Sequence, residues 1–296
     1  MVSAAMRLLG VALRITARPS MATEDRARAV LERPKAASPP PRSLRRHHAV
    51  DAVGIGGFDC VVVEPGGRDT GRAALYLHGG SYINPVAPQQ WAFVDRLANA
   101  GVRVVVPIYG LAPRYTYRDA YPLVTEAYRR LVADPGADAT TIVGDSSGGG
   151  LALGLAQTLI GSDLPQPRRI LLLAPWLDLR LEAPGVRAGE ADDPWLTRTG
   201  LVAAGRAWAG GDDRGLPRLS PVEGPIDGLA PIRAFVGTRD VLMPDVLRLQ
   251  RRFRAAGAGE DRFHLTVQPG ALHNYPLLPV PEGRRAEHAI LRDIAG

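Results

Sequence analysis

The chain has 296 residues, 46% apolar and 22% charged, enough to bury a sizeable core in one large α/β domain or two small ones. Its net charge of +6 is all N-terminal, because residues 1–50 hold 10 Lys and Arg against 3 acids while the remainder holds 26 against 27. No basic stripe or recognised module marks the main body and no apolar run nears the ~20 residues of a membrane span, which excludes nucleic-acid binding and an integral membrane protein.

In chain order, the first expected helix carries Arg7, Arg14 and Arg18 on one face, with Leu8, Leu9, Ala12 and Ile15 displaced from it. It is amphipathic. Packing on its own domain is the expectation, and contact with a membrane surface the alternative. Arg14 breaks the apolar run and no small-residue cleavage site follows, so the stretch is not a secretion signal. A second helix, Glu24 to Arg33, gives way to Pro34 through Pro41, an extended connector. That connector divides residues 1–45 from residues 46–296.

His47 to Val53 and Phe58 to Glu64 are expected to form an antiparallel hairpin around Gly54-Ile55-Gly56-Gly57. His47 and His48 lack partners at metal spacing and are read as surface residues. The single cysteine, Cys60, rules out an intrachain disulfide and suits a reducing, cytoplasmic compartment. From residue 73 the rhythm becomes strand, loop, helix. Strands are expected at Ala73–Leu77, Val102–Pro107, Thr140–Val143, Ile170–Ala174, Ile232–Val236 and His264–Val267, and helices at Trp91–Ala100, Tyr117–Val132 and Gly283–Ile294. Such alternation implies a mostly parallel sheet covered on both faces. Leu181 to Pro231 is too long for a simple connector. Within it Asp193-Pro194-Trp195-Leu196 reads as an N-cap with proline at the first helical position, and Glu190, Asp192 and Asp193 as capping or solvated acids, since they lack the spacing of a calcium loop.

The chemistry concentrates at Gly144-Asp145-Ser146-Ser147-Gly148-Gly149, where a strand runs into a small-residue helix. Glycines two before and two after a serine relieve crowding at a strained strand-to-helix elbow, and Ser146 alone fits both positions. A phosphate loop is the competing reading, but neither its Lys-Ser/Thr ending nor G-x-G-x-x-G spacing is present. A serine needs a base, a group to orient that base and donors for an oxyanion. His273, in a turn expected over Gln268–Tyr275 beyond the last strand, is the candidate base, ahead of His264 and His288. Asp240, directly after the penultimate strand, is the orienting acid by the chain order Ser, Asp, His. Asp245 reads instead as a helix N-terminal carboxylate. The loop His78-Gly79-Gly80-Ser81-Tyr82 offers N–H groups at Gly79, Gly80 and Ser81, joined by that of Ser147.

Taken together, these stretches resemble the hormone-sensitive-lipase-like group of the α/β-hydrolase superfamily, bacterial carboxylesterases with a His-Gly-Gly-x loop and a G-D-S-x-G-G elbow. Tyr109-Gly110-Leu111-Ala112-Pro113 is similar to the group's Tyr-Arg-Leu-Ala-Pro segment, and Ala174-Pro175-Trp176-Leu177-Asp178 and Ser220-Pro221 extend the likeness over nearly the whole chain. The sequence departs from the group at Ser81, where a third glycine is usual, and at Gly110, Arg114 and Asn274-Tyr275. Its ending resembles the branch with monoterpene ε-lactone hydrolases and small acetyl-ester hydrolases. The resemblance implies an α/β-hydrolase fold with an eight-stranded, mostly parallel sheet and a helical cap built from residues 1–45 and about 181–217.

It also implies a serine carboxylester hydrolase that needs no cofactor or metal and cleaves short- to medium-chain apolar esters or lactones, with a homodimer as a further expectation. Tyr82, Trp195, Trp208, Leu277 and Leu278 are the candidate pocket residues. A ligand-binding protein on the same fold, and a serine peptidase or acyltransferase, are the alternatives.

Overall fold

The computed structural model describes residues 2–36 and 38–296, which form one eight-stranded sheet in the order β1-β2-β4-β3-β5-β6-β7-β8. Strands β1 (Ala49–Ile55) and β2 (Phe58–Glu64) make the antiparallel edge, joined at Gly56-Gly57, both at positive φ as a tight hairpin turn requires. β2 also runs antiparallel to β4 (Val102–Pro107). From there β3 (Arg72–Leu77), β5 (Thr140–Asp145), β6 (Arg169–Leu173), β7 (Ile232–Arg239) and β8 (Phe263–Leu272) are all parallel. The central strands β3 and β5 are buried along almost their whole length, as a sheet covered on two faces demands.

One apolar layer lies under α5 (Tyr117–Ala133), α6 (Ser147–Leu159) and α9 (Met243–Ala255). The other lies under α4 (Pro88–Asn99) and α10 (Pro281–Ala295). Four further helices complete the chain: α1 (Ala4–Thr16), α2 (Glu24–Glu32), α7 (Val186–Asp192) and α8 (Arg198–Ala209), besides a six-residue helix α3 (Arg42–His47). The N-terminal helices sit against the 186–209 segment. Arg14 donates to Ala191 O, Arg18 to the carbonyls of Asp193 and Leu196, and Thr197 Oγ1 to Met21 O.

Several local expectations are corrected. α3 lies between the expected connector and the expected strand and takes His47 from the latter, so β1 starts at Ala49 rather than His47. His48 is buried, accepts from Gly66 N–H through Nδ1 and faces Asp95 through Nε2. Thr197, not Asp193, caps α8. The turn expected after Val267 is strand, because β8 continues through Pro269 to Leu272 past a bulge against Gly237 and Arg239; proline is tolerated on an edge strand.

Asp245 does lie in the first turn of α9, as expected, but it is fully buried there, and neither carboxylate oxygen has a hydrogen-bond partner among the described residues. Burial, followed by the nearby Asp178 and Glu223 carboxylates, pushes its carboxyl up to about 7 against the pull of Arg248 and Arg180. The folded protein therefore holds a proton that the unfolded chain releases near pH 4, so this group's contribution to stability falls as pH rises from about 4 to 7. Asp245→Asn should raise the unfolding free energy above pH 7, by on the order of 2–4 kcal/mol. The gain should fade toward pH 4 in thermal or urea unfolding run across pH; a pH-independent difference would refute the titration.

Candidate active site

Ser146 stands alone between β5 and α6 at φ 53°, ψ −123°, a region costly for any residue with a side chain. Two glycines make the elbow sterically feasible. A Cβ on Gly144 would come within 2.2 Å of Gly148 O, and one on Gly148 within 2.0 Å of Leu77 O. The elbow lifts the Ser146 hydroxyl off the sheet, where it meets His273 at the end of β8.

His273 Nε2 lies 2.9 Å from Ser146 Oγ, and His273 Nδ1 lies 2.8 Å from Asp240 Oδ2. Asp240 is fixed in turn, its Oδ1 accepting from Leu242 N–H at 2.9 Å. The three side chains that the sequence singled out thus form one buried hydrogen-bonded line. Burial acts to lower the His273 pKa, but the Asp240 carboxylate, with Asp193 and Asp145 behind it, more than offsets this and raises it above the ordinary imidazole value. Because a carboxylate accepts at Nδ1, the proton of the neutral ring sits there and the lone pair on Nε2 faces the serine.

On the other side of Ser146 runs the loop from His78 to Tyr82. The N–H groups of Gly80, Ser81 and Ser147 have no protein acceptor among the described residues, that of Ser147 because it opens α6. Gly79 is excluded from the expected donors: its N–H is held by Asp145 Oδ1 at 2.8 Å. Ser81 and Tyr82 take φ of 55° and 62°, so the glycine-to-serine departure is accommodated at the cost of left-handed backbone. Tyr82 N–H holds the bend by donating to Ser147 Oγ at 3.2 Å.

Two acids are central to the site in ways the sequence did not assign, Asp145 having been given no role and Asp193 only a capping or solvated one. Asp145 is a hub: its carboxylate accepts from Tyr76 OH, Gly79 N–H, Gln90 Nε2 and Asn274 Nδ2, tying the elbow to the donor loop and to the residue after His273. Its place at the end of a fully buried strand was the available signal. Asp193, expected to be solvated or capping, is wholly buried. It accepts from the N–H groups of Trp195, Leu196 and Val241, the last adjoining Asp240. Burial and then the Asp240 charge raise its pKa, while the Val241 and Trp195 donors and His273 oppose the rise.

Between the N-terminal turn and this centre lies a cavity of about 130 Å³, whose lining includes Met21, Ser81, Ile83, Trp195, Leu196 and Leu201. Trp195 meets the His273 ring edge-on at 5.7 Å. The other expected pocket residues are not in its walls. Tyr82 and Trp208 stack face to face at 4.3 Å and are buried against each other. Leu277 and Leu278 pack in the layer under α10, across the sheet.

Comparison with known proteins agrees with this architecture. Residues 74–277 match the family described as having the alpha/beta hydrolase fold. An acetyl-hydrolase of Streptomyces hygroscopicus is 32% identical, over 80% of this chain and 79% of its own. An ethyl acetate hydrolase of Pseudomonas putida is 30% identical, over 69% and 66%. Among solved structures, that of the esterase EstE5 superposes with a TM-score of 0.82 at 25% identity and covers 99% of both chains.

Proposed function

Since the chain belongs to the α/β-hydrolase fold family, of the carboxylesterase type, we propose that it is a serine hydrolase of esters with small acyl groups, acting through Ser146, His273 and Asp240. The observation that carries this reading is the line Asp240–His273–Ser146, at 2.8 and 2.9 Å, ending beside free N–H groups. Ser146 Oγ attacks the ester carbonyl as His273 Nε2 takes its proton. Asp240 holds the Nδ1–H tautomer and stabilises the imidazolium. The N–H groups of Gly80, Ser81 and Ser147 receive the oxyanion, each worth about 10²–10³ in turnover. His273 then protonates the departing alcohol and activates the water that releases the acid.

A small substrate is supported by the space beside the triad: the cavity of roughly 130 Å³ lined by Ser81, Trp195 and Leu196, whose Trp195 touches His273, is well below the ~300–1,000 Å³ of sites for drug-sized ligands. Acetyl and similarly short acyl groups fit, as do small lactones, in keeping with the acetyl-hydrolase and ethyl acetate hydrolase among the relatives. We read residues 1–45 and 181–217 as the cap that sets this limit.

A p-nitrophenyl ester series from two to twelve carbons tests the reading. kcat/KM should peak at two to four carbons and fall at least about tenfold by eight, the order that overpacking imposes. A profile flat or rising to twelve carbons would refute the small acyl site.

A further inference from the structure

Helix α1 does not pack in the way its sequence suggests. Its buried side is Met6 and Gly10, backed by the half-buried Leu9 and Leu13, set against Leu272 and the layer under α10. Leu8, Val11 and Ile15, spaced on a different face, are 70%, 59% and 70% exposed, the three most exposed large apolar side chains among the described residues. Exposed Ala4 and Ala12 widen the stripe. Scattered surface apolar residues need no explanation, but three on one helical face form a contact surface.

Charge decides what that surface meets. Arg7 and Arg14, seven residues and so about two helical turns apart, lie exposed along one flank. Among the described residues neither forms a salt bridge, and their guanidinium groups reach backbone carbonyls, those of Val2 and Ala191. α1 contains no acid. A second copy docking α1 against α1 would oppose like charges, whereas a surface of anionic headgroups over acyl chains satisfies both the stripe and its flank. No helix among the described residues is long and apolar enough to cross a membrane, so the contact lies in the interface plane.

We propose that α1 docks the protein on an anionic lipid surface, with Leu8, Val11 and Ile15 entering the boundary between headgroups and acyl chains and Arg7 and Arg14 facing the phosphates. The position has a consequence for substrate access. The turn that follows α1 supplies Ala17, Ser20 and Met21 to the 130 Å³ cavity. Docking therefore holds that cavity at the lipid surface, where apolar esters concentrate. The docking itself is independent of the hydrolytic reading, and only this benefit rests on it.

The test is flotation of the full chain with vesicles of phosphatidylcholine alone and of phosphatidylcholine mixed with phosphatidylglycerol, at low and high salt. The protein should float with the phosphatidylglycerol vesicles and be released by salt. Replacing Leu8, Val11 and Ile15 together by serine should weaken binding at least about a hundredfold, and Arg7→Gln and Arg14→Gln about fivefold each. All variants should keep the parent Tm, since none of these side chains is in the core. Equal binding to both vesicle types, undiminished binding by the triple serine variant, or an α1-dependent dimer in sedimentation equilibrium without vesicle binding would each overturn the proposal. Loss of p-nitrophenyl acetate hydrolysis with flotation intact would count against the hydrolytic reading and leave the docking standing.

Discussion

Ser146→Ala should lower ester turnover by about 10⁶, roughly 8 kcal/mol of transition-state stabilisation, with the fold intact. The size follows from the geometry. Ser146 Oγ is the only hydroxyl at hydrogen-bond distance from His273 Nε2 among the described residues, and Ser147 Oγ is already engaged by Tyr82 N–H. No neighbouring group can take over the attack. Alanine also removes nothing that holds the elbow, because Gly144, Gly148 and the backbone bonds of Ser146 to Leu173 and Trp176 remain. KM should change little, since the cavity walls and the three N–H groups are untouched. Steady-state kinetics on p-nitrophenyl acetate, with Tm as the control for folding, gives the result; a loss below tenfold would mean another nucleophile.

Asp240→Asn should cost about 10⁴ in kcat and alter the pH profile. Asn can keep the acceptor for Leu242 N–H, but its amide then presents N–H groups to His273 Nδ1. The imidazole must accept there and carry its proton on Nε2, pointing a donor at Ser146 where the reaction needs a lone pair. Asp193 cannot substitute, because its oxygens are occupied by the N–H groups of Trp195, Leu196 and Val241. In the parent enzyme the raised His273 pKa sets the acidic limb of kcat/KM above the ordinary imidazole range, activity appearing as pH rises and the ring becomes neutral. With the charge at position 240 gone, that limb should move to lower pH while the plateau falls. An unchanged limb would mean that the titrating group is not His273.

What the sequence made legible was whatever depends on local spacing. The strand-to-helix elbow at Ser146, the loop at His78 and the positions of Asp240 and His273 after their strands are properties of short segments in a fixed order. Asp193 was half legible: the local N–H groups of Trp195 and Leu196 bond it as a cap is bonded, but its burial beside Asp240 and its third donor, Val241, come from chain 48 residues away, which no local pattern announces. Gly79 failed as a donor for the same reason, its N–H being taken by Asp145 from another strand. The aromatic pocket residues show a different limit. Tyr82 and Trp208 are apolar enough for a site or a core, and their mutual stacking, visible only in three dimensions, put them in the core. α1 is the reverse case: periodicity found an amphipathic helix, but the apolar residues are divided between a buried side and an exposed one, and periodicity alone cannot say which side faces the protein.

The central claim is that a covalent intermediate forms on Ser146. Reaction of the protein with a small alkyl fluorophosphonate, followed by intact-mass and peptide mass spectrometry, tests it most directly. One phosphonyl group per chain is expected, on the peptide bearing Ser146, with hydrolysis lost in proportion and no adduct on Ser146→Ala. An unmodified protein that still hydrolyses esters, or an adduct on another residue that accounts for the lost activity, would contradict it.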